Sequence, residues 1–353
     1  MSSKPLIGNR VKVKRLSAGW SQAELAGKAG MSRTAISALE GSRLTPSVAA
    51  ALALAKVFGC SVEALFSEGD SSSRAPEWAW APARTPTRYR QAEVDGRTLL
   101  YPCERGSGDL HPHDGVARDG EILSQATFAA ENTLVLATCD PSVNLLAVEM
   151  ARTSGIRLLT LSRSSNEALR MLAAGHVHLA GVHLCESHDA NGNLRIVQDR
   201  LGPEYSLMRI ACWEEGIALA YSIQSSSVKS ILKSKLRWVG REVGSGARQC
   251  LDQLFARRAA PRTIARNHDG VAEAIRGGWA DAGVCLRLSA EEAGLTFISV
   301  RREAYDIVFK SASAGDPRVR AFLKSIRGST YRRLMSDLPG YDVSRAGEVQ
   351  TTS

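Results

Sequence analysis

The run from Ser21 to Ser47, SQAELAGKAGMSRTAISALEGSRLTPS, constrains the fold more than any other part of the chain. Ser21 followed three residues later by Glu24 is a reciprocal capping box, which satisfies two otherwise unpaired N–H groups at a helix start. Gly30 breaks that helix, and Ser32 caps a second one over Arg33–Glu40. A helical period there buries Ile36 and Leu39 and turns Arg33, Thr34, Ser37 and Ala38 outward; short polar and basic side chains at a helix start suit the edges of base pairs. The flanking sequence predicts a basic first helix over 8–16. It also predicts a fourth helix opened by Thr45-Pro46 with Val48, Leu52 and Ala55 on one face, and a short fifth that Ser61 caps and Leu65-Phe66 ends.

The spacing of Ser21-Gln22, Leu25-Ala26, Gly30, Ser32, Ile36-Ser37, Leu39-Glu40-Gly41 and Pro46-Ser47 resembles the Xre/Cro family of phage-repressor-like helix-turn-helix domains over about residues 6 to 67. The resemblance implies an all-α, five-helix, lambda-repressor-like DNA-binding head. In it Gln22 holds a phosphate, Ser32, Arg33, Thr34, Ser37 and Ala38 lie at base edges, and Arg43 reaches the duplex backbone. Arg10 and Lys14 on the first helix are further phosphate candidates. Ala38 departs from the longer polar residues of some relatives and leaves only a methyl contact to thymine.

With 353 residues, 44% of them apolar, the chain is long enough for one or two further lobes with proper cores. Net charge is +9, and residues 1–69 hold nine Lys or Arg against four Asp or Glu, so more than half of the excess falls on the smallest module. That asymmetry fits phosphate neutralisation. Seven cysteines stand singly with no CxxC pair, as expected of small core residues in a reducing cytosol rather than of disulfides or zinc ligands. The N-terminus lacks an apolar signal core, and the longest apolar run, about 48–57, is too short to span a bilayer. A cytoplasmic protein is expected.

The sequence divides into a head at 1–68, a Ser/Pro/Ala-rich linker at 69–88, a small β section at 89–128 and a larger domain at 129–353. Trp78 and Trp80 predict that the linker is partly docked. Asp95-Gly96 between two alternating runs predicts a hairpin, and HDGVARDGEI a further small turn of strand. From about Leu134 strand, turn and helix alternate, which predicts an α/β domain with mostly parallel sheets. Asp316-Pro317 opens the first of two closing helices.

The order ATCDPSVNLL, AGHVHLAGVHL, WEEGIALAYS, VGREVGSGARQCLDQL, VAEAIRGGWADAGVCLR, REAYDIVF, LPGYDVSRAGEV over residues 137–349 resembles the periplasmic-binding-protein-like domain related to molybdate-binding proteins. The resemblance implies a two-lobed α/β fold of type 2 with a ligand cleft, lobe one at about 129–215 plus 308–345 and lobe two at about 216–307. Four strand-to-helix turns carry the candidate ligand residues: Thr138, Asp140 and Ser142; Ser162, Ser164 and Ser165; Ser245, Gly246 and Arg248; Asn267 and His268. His183 and Tyr305 complete the set. Helix N-termini converging on a cleft make an oxyanion site, the glycines of the GSG turn would admit ligand, and molybdate or tungstate is a candidate. Asp140 and Asp306 oppose an anion if they face the cavity; Asp140 would avoid this by capping the helix after Pro141.

His176, His178, His183, Cys185 and His188 form a tempting cluster, but residues 176 and 178 have the opposite parity to 183 and 185, and no structural zinc spacing is present, so no metal and no cofactor are expected. Nucleophile elbow, phosphate loop and metal-ligand pair are all missing, which argues against an enzyme. The sequence therefore predicts a dimeric one-component transcription regulator that binds a DNA operator and a small ligand. The alternatives are a ligand-free domain used for oligomerisation and a small-molecule enzyme fused to a DNA-binding head.

Overall fold

The computed structural model describes residues 11–41, 43–66, 75–104, 112–119, 121–125, 129–223, 227–256 and 258–351. Arg10 and the start expected for the first helix lie outside them. The head comprises α1 (Val11–Ser17), α2 (Gln22–Ala29), α3 (Arg33–Glu40), α4 (Val48–Phe58) and α5 (Val62–Phe66). Ser21 Oγ accepts from Glu24 N at 3.2 Å while Ser21 N donates to Glu24 Oε2 at 2.6 Å, Gly30 closes α2 in the left-handed region, and Ser32 accepts from Ala35 N at 3.1 Å. Val11, Leu25, Ala26, Ile36, Leu39, Leu54 and Leu65 form its core.

The fourth helix departs from expectation at its cap and its face. Ser47, not Thr45, caps it by accepting from Ala50 N, and Ala51, Leu54 and Ala55 are buried whereas Val48 and Leu52 are 77% and 57% exposed. VAAALALAKVF is apolar at nearly every position, so it carries no periodic signal by which one face could be chosen.

A buried ion pair ties α1 to α3. Arg15 donates to Glu40 from Nε at 2.6 Å and from Nη2 at 3.0 Å, and Gln22 Nε2 adds a third bond to Glu40 at 2.8 Å. The Arg15 guanidinium holds the Glu40 carboxyl below its ordinary value of 4.5. A lowered folded-state value means that this stabilisation is present above the unfolded carboxyl's titration and is lost as pH falls through the folded one. Hydrogen exchange of α2 and α3 in the full chain should accelerate below about pH 4. Glu40→Ala should cost the head about 2–3 kcal/mol at pH 7, because it leaves the Arg15 charge buried and unpaired.

In the remainder of the chain, β1 (Glu77–Trp78), β2 (Thr87–Val94), β3 (Arg97–Pro102), β4 (Gly115–Arg118) and β5 (Glu121–Gln125) form a sheet in the order β1-β3-β2-β4-β5. Asp95 (φ 49°) and Gly96 (φ 70°) both occupy the left-handed region that a two-residue hairpin turn requires. Trp78 packs edge-on to Tyr89 and Trp80 to Tyr101, so the segment expected as linker already belongs to this sheet from Glu77 onward. Nor does the small sheet stand apart: Ala92, Val94, Leu99 and Tyr101 share a core with Val135, Leu159, Leu169 and Val308. Asp114 accepts from Arg157 Nη1 at 2.5 Å.

The larger domain runs β6 (Thr133–Thr138), α6 (Val143–Ser154), β7 (Arg157–Ser162), α7 (Ser165–Ala173), β8 (Leu179–Val182), α8 (Gly192–Leu201), β9 (Tyr205–Leu219), α9 (Val228–Lys233) and β10 (Trp238–Arg241). It continues with α10 (Gly246–Phe255), β11 (Thr263–Ala265), α11 (His268–Arg276), β12 (Ala282–Leu286), α12 (Arg287–Glu292), β13 (Thr296–Lys310), α13 (Pro317–Arg327), α14 (Ser329–Ser336), β14 (Tyr341–Asp342) and β15 (Val349–Gln350). The sheet order is β11-β10-β12-β9-β13-β8-β6-β7, with β14 and β15 added on β9. Within each lobe the short strands are parallel, as expected, but β9 and β13 are antiparallel to each other along their whole length and run through both lobes.

This long pair moves the second lobe boundary. Asp306–Phe309 pair with β8 of lobe one, while β12 of lobe two pairs with β9 at Glu215–Leu219, so Asp306 and Ile307 belong with lobe one. Lobe one also extends past residue 345, because Val349 and Gln350 pair with β9.

Candidate functional site

A cavity of about 1110 Å³ opens between the lobes. Lobe one contributes Thr138, Asp140, Ser162, Ser164 and Asn166, lobe two Val243, Arg266, Asn267 and Gly270, and the small sheet Arg90 and Glu104. Of the residues expected at the cleft, Thr138, Asp140, Ser162, Ser164 and Asn267 line it, whereas Ser142, Ser165, His183, Ser245, Gly246, Arg248, His268 and Tyr305 do not. Thr138 Oγ1 lies 2.7 Å from the Tyr305 hydroxyl, whose ring stacks on Trp213 at 4.3 Å. Asp140 turns its carboxylate to the start of α6, accepting from Ser142 N at 2.9 Å, from Ser142 Oγ at 2.8 Å and from Tyr341 Oη at 2.8 Å. Burial pushes this carboxyl up, against the lowering effect of those bonds.

Asp306 does not face the cavity: it is buried, accepting from Arg209 Nε at 2.6 Å and from Asn193 Nδ2 at 2.7 Å. The charge that seemed to oppose an anion is thus neutralised within lobe one. Ser165 Oγ accepts from His183 N at 3.2 Å, Ser245 Oγ accepts from Arg248 N at 3.2 Å, and Arg248 pairs with Asp252 at 2.8 Å. The glycines of the GSG turn also serve a different end from the one expected. A Cβ on Gly246 would sit 2.5 Å from the His183 ring, and one on Gly244 2.7 Å from Asn166 Nδ2. They admit side chains of lobe one, so they close lobe upon lobe.

Behind the cavity wall lies a buried polar network. His183 Nδ1 is 2.7 Å from Glu303 Oε2 and its Nε2 is 3.1 Å from Cys139 Sγ. Trp213 Nε1 donates to Glu303 at 3.3 Å; Arg301 pairs with Glu303 and, at 2.8 Å, with Glu215, and donates to Gly246 O at 3.0 Å. Burial works against the His183 cation, but Cys139 and Glu303 outweigh it and hold the imidazole well above its ordinary value. Burial, then Arg241 and His183, keep His268 well below its own. Desolvation and the neighbouring Glu303 push Glu215 up.

The histidine cluster read from the sequence does not assemble. His178 Nδ1 accepts from Val135 N at 2.9 Å, its Nε2 is 2.9 Å from Glu93 O, and burial lowers it to about 4; His188 lies at the surface beside Glu186. His183 instead meets Cys139, Glu303 and His268, which come from far along the chain.

In the head, Ser32, Arg33, Thr34 and Arg43 are exposed, and Lys14, Ser37 and Ala38 are half-buried. Ser32 Oγ is 2.9 Å from Thr34 Oγ1. Gln22, expected at a phosphate, is bonded to Glu40, so its amide is already partly committed within the head.

Two family models match. A helix-turn-helix model covers residues 11–65, and a PBP superfamily domain model covers 147–327, just over half of the chain. The chain belongs to the PBP superfamily. A curated relative, the uncharacterized protein YvgK of Bacillus subtilis strain 168, is 24% identical over 220 residues, 60% of this chain and 71% of that one. Among solved structures, one described as a substrate-binding protein of a phosphate ABC transporter with bound phosphate, from Clostridium perfringens, has a TM-score of 0.47 at 8% identity, covering 58% of this chain and 96% of that one. A binding-protein component of an ABC phosphonate transporter from Pseudomonas aeruginosa has a TM-score of 0.44 at 13% identity, covering 62% and 81%.

Four arginines that sequence reasoning missed, Arg90, Arg163, Arg170 and Arg266, also line the cavity, and Arg90 is the one with a buried nitrogen that lacks a hydrogen-bond partner among the described residues. Arg90 reaches the cavity from β2, its Nε is buried without a hydrogen-bond partner, and among the described residues it has no ion pair. Burial lowers its pKa. Nothing in RYRQAEV marks Arg90 for the cleft, since only the packing of the small sheet on lobe one brings it there. The lobe contact makes a direct prediction: Gly246→Ala should destabilise the domain by about 1–3 kcal/mol in urea unfolding, because neither the α10 backbone nor the His183 ring has room to retreat.

Proposed function

We propose that the chain is a one-component transcription regulator in which a dimer of heads binds a roughly palindromic operator and a ligand between the two lobes alters that binding. Support comes first from the pairing of a helix-turn-helix domain with a PBP-superfamily domain in one chain. The head presents Ser32, Arg33 and Thr34 outward at the N-terminal end of α3, where side chains reach base edges in this class of domain. Half-sites are expected one helical turn apart, roughly 10 bp centre to centre. The setting is cytoplasmic, where the operator is; among the described residues no helix is long and apolar enough to cross a membrane. Linkage is reciprocal: whatever the ligand does to operator affinity, the operator does to ligand affinity.

The observation that carries the ligand class is the cavity itself. The turns before α6, α7 and α11 meet there from both lobes, and Arg90 adds a charge with no ion pair among the described residues. Backbone N–H groups at helix starts and a desolvated guanidinium favour an oxyanion. The volume exceeds that of a bare tetrahedral ion, and Glu104, Glu167, Glu242 and Asp269 also line the wall. The ligand is therefore an oxyanion group on a larger body with some cationic or donor character, molybdate and tungstate being the smallest members of the series to test.

Calorimetry with molybdate, tungstate, sulfate and organic phosphates should find at least one binder, whose affinity Arg90→Ala lowers by about tenfold or more, in keeping with a charged hydrogen bond lost. Silence across the whole series would leave the domain a role in oligomerisation only. In gel shifts with the DNA upstream of its own gene, Arg33→Ala should relax discrimination by about 1–3 kcal/mol, while Arg43→Ala should weaken all sequences alike.

A further inference from the structure

We propose that Cys139, His183 and His268 form a binding site for one borderline-to-soft transition-metal ion of the zinc class, held across the two lobes. The thiol sulfur and one nitrogen of each ring all lie within 4.8 Å of one another, in a fully buried setting. A tetrahedral ion with bonds of about 2.0–2.3 Å needs ligand atoms about 3.3–3.8 Å apart, so these three need only small side-chain adjustments to close on it. Cys139 follows β6 and His183 follows β8 in lobe one; His268 opens α11 in lobe two. An ion there would bridge the lobes, which a ligand in the cavity alone need not do.

Two features point to an ion rather than to packing. His268 is 1% exposed, yet among the described residues neither of its ring nitrogens has a hydrogen-bond partner, which is rare for a buried polar group unless something supplies the missing bond. His183 is already oriented as a metal ligand: Glu303 engages its Nδ1 at 2.7 Å, which leaves Nε2, 3.1 Å from Cys139 Sγ, as the nitrogen that can bind an ion once the proton shared with the thiol has left. Histidine ligands are commonly held by just such a carboxylate. A thiolate with two imidazoles suits zinc-class ions and not magnesium or calcium. Cys139 also lines the cavity, so the fourth position opens toward it and can take water or a ligand group. The neighbouring trio of His183, Glu215 and Glu303 is less suited, because Arg301 bridges its two carboxylates. On binding, the bonds from the metal to Cys139 Sγ and His183 Nε2 form as the one proton that these two atoms share passes to solvent. The inference does not depend on which ligand fills the cavity or on DNA binding.

The test uses the full-length reduced protein, stripped with a chelator. Cobalt(II) titration should reach one ion per chain with a thiolate-to-cobalt charge-transfer absorption, and zinc should displace it. X-ray absorption of the zinc form should show one sulfur at about 2.3 Å and two imidazole nitrogens at about 2.0–2.1 Å. Cys139→Ser should abolish the charge-transfer band, Cys60→Ser in the head should keep it, and Glu303→Gln should weaken zinc about 10–100-fold while the band persists. Should a variant fail to fold, alkylation of the unmodified protein gives the same answer, since zinc should protect Cys139 alone among the seven cysteines. A band that survives Cys139→Ser, or no band at all, overturns the proposal. So does a Cys139 that alkylates equally fast with and without zinc, which would mark it as a thiol activated by His183 alone.

Discussion

The antiparallel pair β9–β13 is the constraint on which the rest of the larger domain depends. Each strand has fifteen residues and leaves one lobe for the other, so the two lobes share a sheet instead of meeting only through a linker. At the crossing, where an apolar core would be expected, the pair carries Glu215 opposite Arg301 and Glu303 opposite Trp213. Charges so deeply buried persist only because each is paired, and removing one partner leaves another stranded. The same network fixes His183 through Glu303 and reaches the α10 backbone through Arg301, so the crossing, the lobe contact and the cavity wall are one connected piece.

Such an arrangement gives a physical basis for ligand capture. Short parallel strands end in turns that present helix starts to the cleft, the usual place for ligands in open α/β sheets. The long pair keeps those turns in register across the gap. Glycines at 244 and 246 then permit the second lobe to lie directly on the first, with no side chain to hold them apart.

Local chemistry was the legible part of the sequence. The capping box of Ser21 and Glu24, the helix break at Gly30, the Asp95-Gly96 hairpin and the Asp316-Pro317 helix start depend on residues within four positions of each other, and they stand where the sequence puts them. The face of α4 was not legible, since an alanine-rich helix offers no period. The full length of the two long strands was not legible for a different reason: WEEG and RREA carry charges without an apolar alternation, yet they are central strand whose charges neutralise one another across the sheet. Five residues of the cleft, Thr138, Asp140, Ser162, Ser164 and Asn267, could be read from the strand-to-helix turns. Arg90, and the meeting of Cys139, His183 and His268, could not, because each is set by tertiary packing between segments with no pattern in common.

Hydrogen exchange on the full-length protein with Arg301→Met tests this central pair most directly. If β9 and β13 are the shared support of both lobes, losing the one cation between Glu215 and Glu303 should loosen β8 and β6 on one side and β12 and β10 on the other together, from a state in which residues 205–219 and 296–310 exchange slowest of all. Loosening confined to β10 and β12, with β6 and β8 as protected as before, would mean that the lobes are independent and that the crossing strands do not couple them.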